Sequence, residues 1–208
     1  MRIVDINTWK RKEHFNFFSQ FDEPFFGIVS EVDCTKAFQF ADNYDLSFFA
    51  YYLHKSLIAA NNIEEFKYRT KDDDVVLYDE IHASPTIGRE DGTFAFSFIK
   101  FNREFAVFNK TLLLEIERVK NSTGLRANRN YELIDVIHYS SIPWVQFTGL
   151  THARNFEFVD SSPKITFGKT FTKNNKKIMP ISINVHHGLV DGQHVGNYLD
   201  LFQKLLNE

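Results

Sequence analysis

The sequence predicts an α+β fold, with a mixed, largely antiparallel central sheet and helices packed on one face as a two-layer sandwich. Three observations carry this. Polar clusters at Lys71-Asp72-Asp73-Asp74 and Lys173-Asn174-Asn175-Lys176 sit between β-rich segments, which is the pattern of hairpins. Other stretches place apolar residues at helical spacing, as Leu112, Leu113, Ile116 and Val119 do within residues 105–120. No repeat, low-complexity tract or linker divides the chain, so residues 1–208 read as one domain.

Residues 5–18 predict a first helix, with Ile6, Trp9, Phe17 and Phe18 among polar neighbours and Asn7 or Thr8 as cap. Residues 24–32 are aromatic and β-branched and predict a strand. Thr35 can cap a helix running to about Phe40. A longer helix covers residues 46–60 and packs Tyr51, Tyr52, Leu53, Leu57 and Ile58. Strands at 66–69 and 75–78 flank the acidic turn. That turn is poor as a metal site, because consecutive carboxylates without further ligands rarely chelate. Asp91-Gly92 turns the chain into a strand at 93–99, and Gly124 stops the helix of residues 105–120. Short strands are expected at 136–139 and 145–147, interrupted by Pro143, and a hairpin at 165–172 and 178–185. A last helix is expected over 195–206.

Composition removes several functions. With 24 Lys and Arg against 27 Asp and Glu, the net charge of −3 gives no field to hold nucleic acid. Cys34 is the only cysteine, so no intrachain disulfide can form and a reducing cytoplasm suits the chain. Its thiol reads as core filler. The first fifteen residues lack a continuous apolar stretch and no segment has the length of a membrane span, so export and insertion are not expected. The 23 Phe against 2 Met and 2 Trp predict a core, and any pocket, lined by rigid apolar rings.

The sharpest local feature is His186-His187-Gly188-Leu189-Val190-Asp191-Gly192, where an Ile- and Val-rich strand meets the final helix. Adjacent histidines on a strand point to opposite faces, so only one can enter a given cleft. From spacing alone the segment reads equally as a base poised in a cleft or as a tight turn with two satisfied histidines.

Followed by Gln193-His194-Val195-Gly196, this segment resembles the C-terminal signature of the chloramphenicol acetyltransferase family. The opening Asp5-Ile6 with Trp9 to Phe15, the central Ser140-Ser141-Ile142-Pro143-Trp144-Val145, residues 72–79, Thr93-Phe94 and residues 164–180 line up in the same order. The resemblance implies the two-layer fold of coenzyme-A-dependent acyltransferases, and direct acetyl transfer from acetyl-CoA as cosubstrate, with no metal or prosthetic group. It makes His187 the general base on an acceptor hydroxyl, with its other ring nitrogen held by a backbone carbonyl. Ser140 becomes the oxyanion donor, and Thr166 holds a water near the tetrahedral centre. Arg11 pairs with Asp191 at two points and holds the loop. Trp144 and Lys169 are implied contacts of the CoA nucleotide. Phe18, Phe25, Phe94 and Leu150 fall where the family lines its acceptor pocket, with the alignment near Phe25 slipping by a residue. The family implies a homotrimer with active sites between subunits, and chloramphenicol as the leading small-molecule acceptor.

The chain departs from the family over residues 148–158, where His152 and Arg154 occupy the apolar phase beside the expected pocket. Gln193 replaces an aromatic residue, and the segment before Ile134 is short. A charged wall disfavours an apolar aryl alcohol and favours a polar or acidic acceptor. Other readings are the acyltransferase core of 2-oxo acid dehydrogenase complexes, although no lipoyl domain or linker is present in the sequence, and a noncatalytic trimeric binding protein.

Overall fold

The structure is a computed structural model that describes residues 1–125, 133–157 and 159–208. Phe158 and most of the short segment before Ile134 lie outside the described residues. In chain order the elements are β1 (Arg2–Ile3), α1 (Lys12–Phe18), β2 (Phe25–Asp33), α2 (Thr35–Asn43), α3 (Phe48–Asn61), a 3₁₀ turn (Glu64–Lys67), β3 (Tyr68–Lys71), β4 (Asp74–Leu77), β5 (His82–Gly88), β6 (Phe94–Phe96), α4 (Phe105–Lys120), β7 (Val136–Ile142), β8 (Lys164–Gly168), β9 (Phe171–Lys173), β10 (Lys176–His186) and α5 (Gly192–Leu206).

The main sheet runs β2-β10-β8-β7-β5-β6, with β9 also on β10, and a small sheet runs β1-β4-β3. Its pairings are antiparallel except where β7 lies parallel to β5 and to β8. The register settles which side chains share a face. Ile181, Ile183 and Val185 alternate with Ser182, Asn184 and His186 along β10. The apolar set joins Ile165, Phe167, Ile137 and Tyr139 in one buried cluster with Leu53 and Leu57 of α3, Leu112 of α4, and Tyr198 and Phe202 of α5. Ser56 anchors that layer, within hydrogen-bonding distance of the hydroxyls of Tyr139 (3.0 Å) and Tyr198 (2.6 Å). The polar set lies on the opposite face with Lys164, Thr166, His138 and Ser140.

Local chemistry explains where elements begin. Ser47 caps α3 by accepting from the Ala50 N–H, and the helix is buried on nearly every side, so its sequence shows no clean polar face. Asn174 and Asn175 take φ of 51° and 60° in the β9–β10 hairpin, a conformation asparagine tolerates. Arg69 is fully buried and donates to the carbonyls of Phe66, Tyr68, Ile134 and Val136, tying the 3₁₀ turn to the start of β7.

Several expectations are corrected. The first helix starts at Lys12, because Asp5 takes the Asn7 N–H and the Thr8 hydroxyl and folds residues 5–8 into a turn. Thr35 does not cap α2. It is the first helical residue, its hydroxyl donating to Asp33 and accepting the Lys177 N–H. Residues 145–147 form no strand: after the Pro143 turn the Val145 N–H donates back to the Ile142 carbonyl at 3.3 Å, and the Val145 carbonyl accepts the Lys169 N–H at 2.9 Å. The strand expected at 165–172 breaks into β8 and β9. The one expected at 93–99 shortens to β6 plus a bridge at Ile99, and that at 66–69 gives way to the 3₁₀ turn and β3. The last helix starts three residues early, at Gly192, because Asp191 caps it. Cys34 is buried, and burial pushes its thiol up to about 12, as a core filler requires.

Candidate active site

β10 ends at His186, and the two histidines part there. His186 lies opposite Phe25 of β2, buried on the polar face, where its Nδ1 accepts the Gly188 N–H at 3.1 Å. Burial, then the nearby Arg154 charge, pushes it down to about 4, so it is neutral at ordinary pH. His187 is held by its backbone: its N–H donates to Pro24 at 2.8 Å, and its carbonyl accepts from Arg11 Nη2 at 3.1 Å. Its half-buried ring stacks on Phe18 at 4.0 Å and touches Phe26 at 4.5 Å. The Nδ1 is buried without a hydrogen-bond partner, so the expected bond to a backbone carbonyl is absent: the ring is positioned by two phenyl groups and its own main chain.

Gly188 lets this turn pass under α1. A Cβ there would come 3.1 Å from the Phe15 Cα and 3.0 Å from the His186 ring. Arg11 reaches across the same turn. Its Nη1 meets Asp191 Oδ2 at 2.7 Å and its Nε meets the Gly188 carbonyl at 3.3 Å. The guanidinium therefore spans one carboxylate oxygen and two carbonyls, rather than gripping the carboxylate at two points as expected, because Asp191 Oδ1 is taken by the N–H groups of Gln193 and His194. Burial alone would raise the Asp191 carboxyl, but the Arg11 hydrogen bond and His194 outweigh it and hold the group below the ordinary carboxylate range. His194 closes the cap, its Nδ1 accepting the Asp191 N–H and its Nε2 lying 3.3 Å from Glu65.

Ser140, Thr166 and Ser182 form a row across β7, β8 and β10 on the polar face. Thr166 is fully buried and its hydroxyl has no hydrogen-bond partner among the described residues. Four residues after Ser140 the chain emerges at Trp144, 78% exposed, and three after Thr166 at Lys169, whose N–H is bound to the neighbouring Val145 carbonyl. Ser182 and His187 are five residues apart. With a rise of about 3.4 Å per residue and a strand spacing of about 4.8 Å, Ser140 stands about 20 Å from His187 within one chain.

The aromatic candidates divide. Phe18 touches the His187 ring. Phe25 faces away, against His186, while its neighbour Phe26 makes the contact with His187. Strand alternation holds the signal for Phe26, since it pairs with Val185, two residues before His187. Phe25, Leu150 and His152 instead line one cleft of about 360 Å³ with Arg154 and Lys164. Phe94 is 48% exposed on the edge strand β6, at the far side of the sheet from β10. Sequence reasoning missed His194 and Phe26. Among the described residues no group of three or more His, Cys, Asp or Glu side chains is placed to hold a metal. No described helix is long and apolar enough to cross a membrane.

Known proteins fit this geometry. The family model for chloramphenicol acetyltransferase matches residues 1–203. A chloramphenicol acetyltransferase of Proteus mirabilis is 28% identical over 99% of this chain and 94% of its own length, and one of Bacillus pumilus is 28% identical over 98% and 92%. A solved structure of a chloramphenicol acetyltransferase superposes with a TM-score of 0.92 at 34% identity, covering 99% of both chains. A probable dihydrolipoamide acetyltransferase of Listeria monocytogenes shares the fold alone, with a TM-score of 0.66 at 13% identity over 99% of this chain and 93% of that one. The sheet and its histidine-bearing strand exit thus define an acyltransferase of the coenzyme-A-dependent class. The chain belongs to the chloramphenicol acetyltransferase family, whose members are acetyl-CoA-dependent acetyltransferases.

Proposed function

We propose that this chain, as a single catalytic domain, transfers the acetyl group of acetyl-CoA to a hydroxyl of a small molecule, with chloramphenicol the first acceptor. The carrying observation is the His187 ring, clamped through its backbone, stacked on Phe18 and touched by Phe26 where the strand ends. An imidazole suits this work because one ring nitrogen can carry a proton while the other offers a lone pair to take one. With its proton on Nδ1, Nε2 takes the hydroxyl proton as the acceptor oxygen attacks the thioester carbonyl. The carbonyl oxygen becomes negative, and the Ser140 hydroxyl donates to it. The intermediate collapses, the C–S bond breaks, and the proton on Nε2 passes to the CoA sulfur. No acyl-enzyme forms.

The separation of about 20 Å between Ser140 and His187, set by strand geometry, supports a homotrimer in which one subunit supplies the base and its neighbour the Ser140–Thr166 row. Phe94, remote from His187 in its own chain, fits the same arrangement. Exposed Trp144 and Lys169 then flank the entry of the CoA nucleotide, and Thr166 holds a water. We place the enzyme in the cytoplasm, where acetyl-CoA and a reducing environment for Cys34 coexist and where acetylation of the drug would confer resistance. The test is thiol release from acetyl-CoA with chloramphenicol, alongside sedimentation of the protein. Drug-dependent release by a trimer is expected. Absence of release with chloramphenicol and with every other hydroxyl acceptor would leave the noncatalytic binding protein as the better reading.

A further inference from the structure

The cleft beside Phe25 is built from charge as well as from rings. The Arg154 guanidinium lies 3.7 Å from the Phe25 ring centroid, and Lys164 Nζ lies 4.5 Å from it. Arg154 Nη1 donates to Glu23 at 2.7 Å and its Nε lies 3.9 Å from Asp160, so the rest of the fork has no hydrogen-bond partner among the described residues. Lys164 is hydrogen-bonded to Asp160. His152 Nε2 is buried without a partner, and burial, with Lys164 and Arg154 beside it, lowers that histidine below its ordinary value. Asn184 completes the wall. Opposite it, a Cβ on Gly27 would fall 2.5 Å from Asn184 Oδ1, so only glycine lets the amide lie there.

A flat neutral ring stacking on the face of Phe25 that Arg154 covers must displace the guanidinium from it. A carboxylate has no such cost, because it accepts from the unused edge of the fork while the guanidinium keeps its place on the ring. Glu23 and Asp160 balance the charges of Arg154 and Lys164, so the preference rests on the unused donors of the Arg154 fork and not on an excess of positive charge. We propose that Arg154 is a specificity-determining residue and that the acceptors this pocket favours are hydroxyl compounds carrying a carboxylate. This rests on the acetyl-transfer reading for its placement in the acceptor pocket.

The probes are 4-(hydroxymethyl)benzoate and its methyl ester, compared by thiol release from acetyl-CoA and by calorimetric binding to the full-length protein. Wild type is expected to favour the acid by roughly tenfold or more, through KM and Kd rather than kcat, the scale of a charge-assisted hydrogen bond. Arg154→Leu abolishes the preference, and Arg154→Lys, which keeps the charge and loses the fork, retains part of it. Equal binding of acid and ester by wild type, or an undiminished preference in folded Arg154→Leu, overturns the proposal. If Arg154→Leu does not fold, Arg154→Lys decides by the same two readings. Should no acceptor, chloramphenicol included, release thiol, the acetyl-transfer reading fails, while the calorimetric preference still decides the role of Arg154.

Discussion

Replacing Arg11 by methionine removes three contacts at once while keeping the length of the side chain: the bond to Asp191 and those to the His187 and Gly188 carbonyls. The magnitude follows from burial. The Arg11 side chain is 10% exposed and that of Asp191 is 32% exposed. An exposed pair is worth about 0–1 kcal/mol and breaking a buried one costs about 3–5 kcal/mol, so this pair falls between them. With two carbonyls losing their donor, the substitution costs about 2–4 kcal/mol, or about 5–15 °C in Tm for a chain of this size. Because these carbonyls hold the backbone that carries His187, kcat/KM falls as well, by about 10- to 100-fold. Arg11→Lys recovers part of the stability and little of the rate, since an ammonium cannot span the three acceptors. The pH sign is fixed by Asp191, whose folded value is depressed. The pair's contribution is complete above about pH 4, the ordinary carboxylate value, and is lost as pH falls through the lower folded value. Thermal melts and chloramphenicol turnover of wild type, Arg11→Met and Asp191→Asn, at one protein concentration, provide the assay. Arg11→Met melting within a degree of wild type with unchanged kcat/KM would refute the clamp.

Three more outcomes are expected. Ser140→Ala lowers kcat by about 10²- to 10³-fold, as loss of an oxyanion donor does, with little change in melting temperature. His186 has a folded value of about 4 against an unfolded value of about 6.5, so the unfolded chain binds its proton first and stability drops as pH falls across that window. Urea titrations should show His186→Gln removing a slope on the order of 1 kcal/mol per pH unit there. Arg69→Met removes the donor from four backbone carbonyls and should cost at least about 3 kcal/mol in denaturant midpoint analysis, outweighing the gain from deleting a buried charge.

Legibility followed how local each signal was. The helix at Phe105–Lys120 and the β9–β10 hairpin were readable because spacing and turn chemistry act within a few residues. The pattern over 195–206 does not mark the start of α5, because Asp191 caps the helix with one oxygen while the other meets Arg11. The helix expected from residue 5 starts later because Ile6 and Trp9 keep a helical spacing through a stretch where Asp5 diverts the hydrogen bonds into a turn. At the candidate site, pairing of Arg11 with Asp191 came from resemblance over 180 residues of separation, which no spacing rule reaches. The choice between Phe25 and Phe26 needed the β2–β10 register, since a slip of one residue moves a side chain to the other face. That Arg154 covers Phe25 is a tertiary fact: the sequence gives its charge and not its resting place.

The central claim is that the His187 ring removes the acceptor proton, and the most direct measurement is kcat for acetyl transfer by His187→Ala under saturating acetyl-CoA. A fall of about 10²- to 10⁴-fold, with the melting temperature and the KM for acetyl-CoA close to wild type, is the predicted result. Turnover at the wild-type rate would contradict it and send the search for the base elsewhere.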